Sequence, residues 1–191
     1  MPSEIEIKLR ASNLPAIRRR LSANGFRVHK RRVFESNVLL DTSDRRLASQ
    51  DELIRIRRAG PKAKLTYKGR SQNGAHKSRE EIETDVLEPA VMEDILRCVG
   101  FQPAFRYEKY RTEYAKRGRH GVVTVDETPI GDYLEIEGKP DWIDKTAAQL
   151  GFTKSDYVNK NYGEIYVEYC RERGIQPTNM VFKQRRAKRK A

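Results

Sequence analysis

The sequence contains few of the residues that build disulfide frameworks, cysteine-based metal sites or membrane spans. Its 191 residues include two cysteines and three histidines. Cys98 and Cys170 have neither a disulfide nor a metal-ligand spacing, which indicates reduced thiols. No apolar run approaches the roughly 18 residues of a membrane span, and the chain opens on a charged strand instead of a signal peptide. These absences exclude a secreted disulfide scaffold and predict a cytoplasmic protein.

Charge, by contrast, is abundant. Charged residues make up 35% of the chain, and the net charge is +12 at pH 7. Six of the cations lie in the last ten residues, FKQRRAKRKA. The remaining body is still basic, which indicates anionic partners such as phosphates, nucleotides or nucleic acid. We expect one domain over residues 1–170 and a disordered basic tail over residues 176–191. The alternative role of that tail is a weak contact with nucleic acid or an anionic surface.

Alternating charged and aliphatic residues dominate the strand-like segments. The stretch EIEIKLR, residues 4–10, alternates with period two, which predicts a β-strand with one apolar face. The same alternation recurs in LIRIRR, KAKLTYKG, REEIETD, EKYRTEY, GVVTVDE and YLEIEG. Together with VFESNVLLD they give about eight strands, with hairpin turns near Gly60-Pro61 and Gly118–Gly121. We predict an α+β fold: a closed antiparallel β-barrel of about eight strands, with helices packed outside.

Helical segments separate these strands. Residues 13–24, 89–99 and 140–150 have the apolar spacing of helices, and each segment is followed by a Gly-Phe pair. Glycine at that position is typical of a helix C-terminal cap. Residues 154–170 are predicted to form a further helix, and the polar segment 71–78 a loop.

The charges on the polar strand faces are sorted by sign. The acids are Glu4, Glu6, Asp126, Glu135 and Glu137, and the cations are Arg55, Arg57, Lys64, Lys68, Lys109 and Arg111. A solvated face explains any single strand, but a solvated surface usually mixes the two signs. Sorted charges on most of the strands favour an enclosed lumen. Because confined unpaired charges cost ~2 kcal/mol or more each, such a lumen needs a ligand. Clustered carboxylates suit Mg²⁺ or Mn²⁺, and clustered lysines and arginines suit phosphate, so a metal-bound polyphosphate matches both.

These motifs resemble those of the CYTH superfamily, the triphosphate tunnel metalloenzymes. EIEIK fits the E-x-E-x-K signature, and RIRR, KLTYKG, REEIE, KYRTEY, VDETPIGDYLEIEG and KNYGEI follow in order. The resemblance covers about residues 2–168 and is closest to the class IV adenylyl cyclase-like branch. It implies a charged barrel that acts on a triphosphate with Mg²⁺ or Mn²⁺, and it implies a homodimer.

The resemblance also implies roles for individual residues. The implied metal ligands are Glu4, Glu6, Asp126, Glu135 and Glu137. The implied phosphate ligands are Lys8, Arg55, Arg57, Lys64, Lys68, Lys109, Arg111 and Lys160. Arg79, Glu81 and Glu83 would complete the tunnel wall near the substrate, and Lys8 would help to activate water in a hydrolase. The family pattern K-S-Y is replaced here by Lys160-Asn161-Tyr162, which is a departure at the position of Lys160.

The motifs leave the reaction open. An adenylyl cyclase, the first candidate, would convert ATP to cyclic AMP and pyrophosphate. A triphosphatase would hydrolyse tripolyphosphate, thiamine triphosphate or another organic triphosphate with the same cationic clamp. A third possibility is a binder of polyphosphate or nucleotides without catalysis. The set of carboxylates favours an enzyme, because a binder of anions gains little from acidic residues.

Overall fold

A computed structural model shows a closed antiparallel barrel of eight strands with helices on its outside, as the sequence predicts. The structure describes residues 3–72, 75–118 and 120–183. The eight strands are β1 (Ser3–Ala11), β2 (Arg27–Asp41), β3 (Leu53–Ala59), β4 (Lys62–Lys68), β5 (Lys77–Asp85), β6 (Gln102–Ala115), β7 (Gly121–Thr128) and β8 (Gly131–Gly138). A two-residue strand, β9 (Tyr157–Val158), pairs beside β1.

Strand β1 closes the barrel because it pairs with a neighbour along each edge. Glu6 lies opposite Glu137 of β8, and Glu4 lies opposite Arg79 of β5. The strands between them follow the order β5-β4-β3-β2-β6-β7-β8. Since successive side chains point to opposite faces of a strand, residues 4, 6 and 8 share the face that lines the lumen. The charged half of the alternation is therefore directed into the barrel.

The helices cover the apolar outer face and end as predicted. They are α1 (Leu14–Ala23), α2 (Arg46–Ser49), α3 (Pro89–Cys98), α4 (Pro140–Gln149) and α5 (Tyr162–Glu172). After α1, the Gly25 N–H donates to the Ser22 carbonyl and the Phe26 N–H donates to the Leu21 carbonyl. Gly25 has φ +82°, a conformation that a residue with a Cβ adopts at a cost. The Gly-Phe pairs after α3 and α4 make the same two kinds of hydrogen bond.

The main hydrophobic core lies between the barrel and helices α1 and α4. Ile7 and Leu9 of β1 pack there against Ile17 and Leu21 of α1 and Ile143 of α4. A smaller cluster lies under α3. These aliphatic side chains are the alternate residues of the charged strands, so one pattern builds both the core and the lumen. In the part of the chain that the structure describes, no helix combines the length and hydropathy of a membrane crossing.

The predicted helix over residues 154–170 is wrong in its first half. Residues Lys154–Asp156 form a single 3₁₀ turn, β9 follows, and α5 begins only at Tyr162. The turn closes because Asp156 accepts a hydrogen bond from the Thr153 N–H at 2.7 Å. Asn161 then caps α5 by accepting from the Glu164 N–H at 3.0 Å. Two caps within nine residues divide the segment.

Part of the segment predicted as a tail packs against the barrel. Met180 is 1% exposed and forms a parallel bridge with Tyr107 of β6. The Glu108 side chain accepts a hydrogen bond from the Phe182 N–H at 2.9 Å. Residues 179–182 therefore lie against β6, and the remainder of the predicted tail, residues 184–191, falls outside the described residues. The division into a domain and a tail stays a prediction.

Candidate active site in the barrel lumen

A cavity of about 510 Å³ occupies the barrel lumen. Thirteen of the side chains predicted for the site line it, namely Glu4, Glu6, Lys8, Arg55, Arg57, Lys68, Arg79, Glu81, Glu83, Lys109, Arg111, Glu135 and Glu137. They come from β1, β3, β4, β5, β6 and β8. The period-two alternation of each strand carries them to the same face. The lumen thus brings together most of the predicted residues, with both signs of charge.

The deepest part of the site is a buried network of ion pairs. The Lys8 ammonium donates to Glu135 at 2.7 Å, and Lys109 donates to Asp126 at 2.7 Å. Arg111 grips both oxygens of Asp126, at 2.7 and 2.6 Å, and its Nη2 also contacts Glu135. Charge-assisted pairs of this kind fix the positions of the donors, because each cation has its partner within reach. The network presents Lys8, Lys109 and Arg111 to the cavity in defined positions.

The network holds its members in their charged forms. Burial alone would raise the pKa of Glu135, but Arg111 and Lys8 outweigh it and hold the pKa well below its usual range. Burial likewise opposes ionisation of Asp126, and Arg111 and Lys109 keep its pKa low. Burial would lower the pKa of Lys8, yet the charges of Glu135 and Glu6 raise it. The raised pKa of Lys8 favours its ammonium form, which suits the binding of an anion.

A second region of the lumen is acidic. Glu6 and Glu137 are opposed across the β1–β8 pair, and the Lys68 ammonium contacts both Glu4 and Glu81. Burial raises the pKa of Glu137 to about 7, with further contributions from the charges of Glu4 and Glu6. Burial also raises the pKa of Glu4. The nearby positive charge does not offset the burial of Glu4 and Glu137 and their repulsion by neighbouring carboxylates.

This acidic region fits a divalent cation by its chemistry. Carboxylate oxygens are the ligands that Mg²⁺ and Mn²⁺ prefer, and a cation there would remove the repulsion that raises the pKa of Glu137. As the side chains stand, no three acidic, histidine or cysteine side chains among the described residues converge on one point. Ligation would require Glu4 to leave Lys68, a movement of one side chain.

Three predicted residues lie elsewhere. Lys160, predicted to bind phosphate, does not line the cavity: its ammonium pairs with Glu168 and is half exposed. Asn161 forms the cap of α5, so Lys160 precedes the helix and lies outside the lumen, while Asn161 itself lines the cavity. Lys64 is also largely exposed and pairs with Glu83 and Asp85. Asp126 is fully buried behind the lumen lining, where Lys109, Arg111 and the Tyr162 hydroxyl all donate to it.

The sequence analysis missed several polar residues of the site. Glu35 lies 3.7 Å from the Lys109 ammonium and 3.6 Å from Arg57. Asn37 accepts a hydrogen bond from Arg57 at 3.1 Å, and its Nδ2 has no partner among the described residues. Both were detectable as alternate polar positions in VFESNVLLD. Tyr107 and Lys77 likewise follow period two from Lys109 and Arg79.

Helix α5 supplies one wall of the lumen. The Tyr162 ring packs against Tyr107 and Tyr133. The ammonium groups of Lys8 and Lys109 lie over it, 4.6 and 5.0 Å from its centroid. Its hydroxyl donates to Asp126 at 2.7 Å. The ring therefore contacts both ammonium groups, while Glu135 accepts from Lys8 and Asp126 accepts from Lys109.

Comparisons with known proteins agree with this architecture. A sequence model of the CYTH domain matches residues 2–189. A Methanocaldococcus jannaschii protein named "putative adenylate cyclase" is 27% identical over 172 residues, which cover 85% of this chain and 97% of that protein. The structure of a "putative adenylate cyclase" from Vibrio parahaemolyticus has a TM-score of 0.74 at 19% identity, covering 85% and 96% of the two chains. A structure from Hippeastrum, described as a "putative adenylyl cyclase" with a dominant triphosphatase activity, has a TM-score of 0.67 at 20% identity and covers 86% and 95%. The two structures show the shared fold.

Proposed function

The chain belongs to the CYTH domain family, and from that premise we propose that it is a divalent-metal-dependent enzyme acting on the triphosphate chain of a small molecule. Members of this family depend on a divalent metal. The observation that carries the proposal is the lumen itself. It joins an acidic region around Glu4, Glu6 and Glu137 to a cationic region around Lys8 and Arg111. Metal and phosphate are the two partners that such a pair of regions lacks.

The acidic region would hold the metal ion. Glu4, Glu6 and Glu137 are the main candidate ligands, and Glu135 is a further one because it lines the same cavity. Asp126 has a different role in our proposal: it anchors Lys109 and Arg111, since its oxygens already accept from those donors and from Tyr162. A bound divalent ion supplies neutralisation of charge on the phosphate oxygens.

The cationic region would hold the phosphates. Arg55 and Arg57 of β3 and Arg111 of β6 offer guanidinium groups, and Lys8 and Lys109 offer ammonium groups. Arginine forks match phosphate oxygens in pairs, which orients the chain as well as binding it. Because Glu135 and Asp126 fix these cations before the ligand arrives, little reorganisation would be needed when charge develops in the transition state.

Hydrolysis is the reaction that this geometry supports best. Water would attack the terminal phosphorus, the bond to the bridging oxygen would break, and orthophosphate and a diphosphate would leave. Such a reaction needs the triphosphate clamp and a place for water. In the described lining the aliphatic residues are Leu39, Leu53 and Val122, and the rings of Tyr107 and Tyr162 already pack on each other at 5.7 Å. The wall therefore offers a nucleobase little free surface for stacking.

Adenylyl cyclisation is the second candidate. The observation that favours it is the name of the archaeal relative, which is matched over 97% of its length. The ribose 3′-hydroxyl of ATP would attack the α-phosphorus, and pyrophosphate would leave. The same cationic clamp would serve, with the triphosphate shifted along the lumen so that the α-phosphorus reaches the reacting position.

A product assay separates the candidates. The purified protein is incubated with Mg²⁺ or Mn²⁺ and, in separate reactions, with tripolyphosphate, thiamine triphosphate and ATP. Orthophosphate with a diphosphate supports hydrolysis, and pyrophosphate with cyclic AMP supports cyclisation. The variant E4Q/E6Q should lose metal-dependent turnover. The matched control is E127Q, since Glu127 lies on β7 with its carboxylate bound to Arg18 and Arg32 outside the lumen. Tight binding of all three compounds without turnover would refute the enzyme and leave a binding protein.

A further inference from the structure

Much of the positive charge lies outside the lumen, in one part of the sequence. Residues 12–34 contain seven lysines and arginines and no aspartate or glutamate. They form α1 and the first half of β2, where residues 27–32 are all exposed. This half of β2 pairs with the end of β6, which pairs with β7 along its other edge. The charge is therefore carried on a surface that the fold leaves open.

Contacts join several of these cations into one surface, which we call the basic face: α1, residues 27–34 and residues 110–117, without Arg111 and Glu113, whose side chains line the cavity. Arg18 of α1 and Arg32 of β2 both bind Glu127, at 3.1 and 3.0 Å. Arg27 donates to the Ser22 carbonyl at the end of α1, and Lys116 lies 4.4 Å from the centroid of the Phe26 ring. The described acids that interact with this face are Glu113, Glu127 and Asp132.

Several of these cations form no ion pair with the residues that the structure describes. Arg19, Arg31 and Arg117 are exposed, and none of them pairs with an acid in the residues that the structure describes. They carry full charge at the surface and create a positive potential beside the barrel. Such a surface attracts a polyanion, and the released counterions make the attraction strongly dependent on salt.

Aromatic rings lie among these cations. Phe34, Tyr110 and Phe182 form a row with 5.3 Å between successive ring centroids, and Phe34 is 40% exposed. The Arg32 guanidinium lies 3.5 Å from the centroid of the Tyr110 ring. Phe182 brings the C-terminal end of the described chain to this row. Rings flanked by cations match a chain that carries both bases and phosphates.

We propose that the basic face binds single-stranded nucleic acid, with the phosphates on the unpaired arginines and bases on the aromatic row. A duplex would use the cations but not the rings, because its bases are already stacked. An acidic protein would likewise leave the rings unused. The proposal concerns the outside of the barrel and does not depend on which reaction occurs in the lumen.

Fluorescence polarisation with a labelled deoxythymidine oligonucleotide of about 20 nucleotides tests the proposal at about 50 mM KCl. The variant R19A/R31A/R117A should bind at least about tenfold more weakly. Its plot of log affinity against log salt should be shallower by about 2, since each lost phosphate contact contributes about 0.7. The matched control, R58A/K62A/K145A, removes three exposed cations elsewhere, which also lack an ion pair among the described residues, and should bind like the wild type.

The aromatic contribution is tested separately with F34L, which keeps an apolar side chain but removes the ring. It should weaken binding of the oligonucleotide several-fold and leave binding of heparin, a polyanion without bases, unchanged. Thermal melts confirm that each variant is folded. Equal losses in the two triple variants would show a general charge effect and overturn the site. An unchanged affinity of F34L for the oligonucleotide, or tighter binding of a duplex than of the single strand, would overturn the assignment to single strands.

Discussion

Asp126 offers the sharpest test of the buried network, through the substitution Asp126→Asn. The carboxylate is fully buried and accepts from Lys109, Arg111 and Tyr162 at 2.6–2.7 Å. The variant would leave two buried cations with an amide whose NH₂ group repels them. Removal of one partner from a buried ion pair costs about 3–5 kcal/mol. For a chain of this size we therefore expect the melting temperature to fall by roughly 6–20 °C.

The matched control is Glu127→Gln, the next residue on β7. Its side chain points to the other face of the sheet and makes partly exposed ion pairs with Arg18 and Arg32. Such pairs contribute below about 1 kcal/mol each. Urea unfolding of both variants measures the difference. If Asp126→Asn unfolds within about 1 kcal/mol of Glu127→Gln, the network does not stabilise the lumen, and the reasoning is refuted.

The pH dependence gives an independent check on Asp126. Its pKa in the folded protein is lowered, so the unfolded chain binds the proton more tightly. The stability that its carboxylate contributes is therefore complete above the unfolded pKa of about 3.9 and is lost as pH falls through the lower, folded value. The gap between the wild type and Asp126→Asn should stay constant from about pH 5 to pH 8 and close below about pH 4. A gap that instead widens in acid would contradict this assignment.

Three further predictions concern the acidic region, α5 and the C-terminus. The pKa of Glu137 is raised to about 7, so its ionisation destabilises the metal-free fold as pH rises from about 4.5 to 7. Mg²⁺ should therefore raise the melting temperature more at pH 8 than at pH 5. Glu137→Gln should remove that difference. Lys160→Ala should keep turnover within about twofold of the wild type, whereas Lys8→Ala should lower turnover at least about 100-fold, because, of the two, only Lys8 lines the cavity. Equal losses of turnover would show that Lys160 also acts at the site. Deletion of residues 184–191 should leave stability and turnover unchanged. Deletion from residue 179 onward also removes buried Met180 and should lower the melting temperature by several degrees. Identical melting temperatures for the two deletions would show that residues 179–183 do not contribute to stability.

The parts of the site that follow from one strand could be read from the sequence. Glu4, Glu6 and Lys8 share a face because strand geometry alternates side chains, and the same rule placed Glu135 and Glu137. The barrel follows from the number of such strands and from their single apolar face.

Features that depend on contacts between distant segments could not be read in this way. Lys160 was misplaced because the direction of its side chain depends on where α5 begins, which the Asn161–Glu164 cap decides. The environment of Asp126 includes the hydroxyl of Tyr162, a residue of α5 that lies 36 positions further along the sequence. Met180 lies in a segment that the sequence predicts as a polar tail. The segment of β6 near Tyr107 does not pair with β7, and residues 179–182 lie along this segment of β6 instead.

The internal ion pairs of the lumen explain why metal and triphosphate would need each other. Lys68 is held by Glu4 and Glu81, and Lys8 by Glu135, so neither kind of charge is free to bind a ligand without losing a partner. A metal ion alone would take carboxylates and leave buried ammonium groups unpaired; a triphosphate alone would take the cations and leave buried carboxylates unpaired. Binding of either ligand alone would leave buried charges unpaired, and this desolvation penalty would be removed when the other ligand binds. Binding of one therefore favours binding of the other, by the reciprocity of linked equilibria. On the proposed function, a metal–triphosphate complex would supply partners for the carboxylates and for the cations at once.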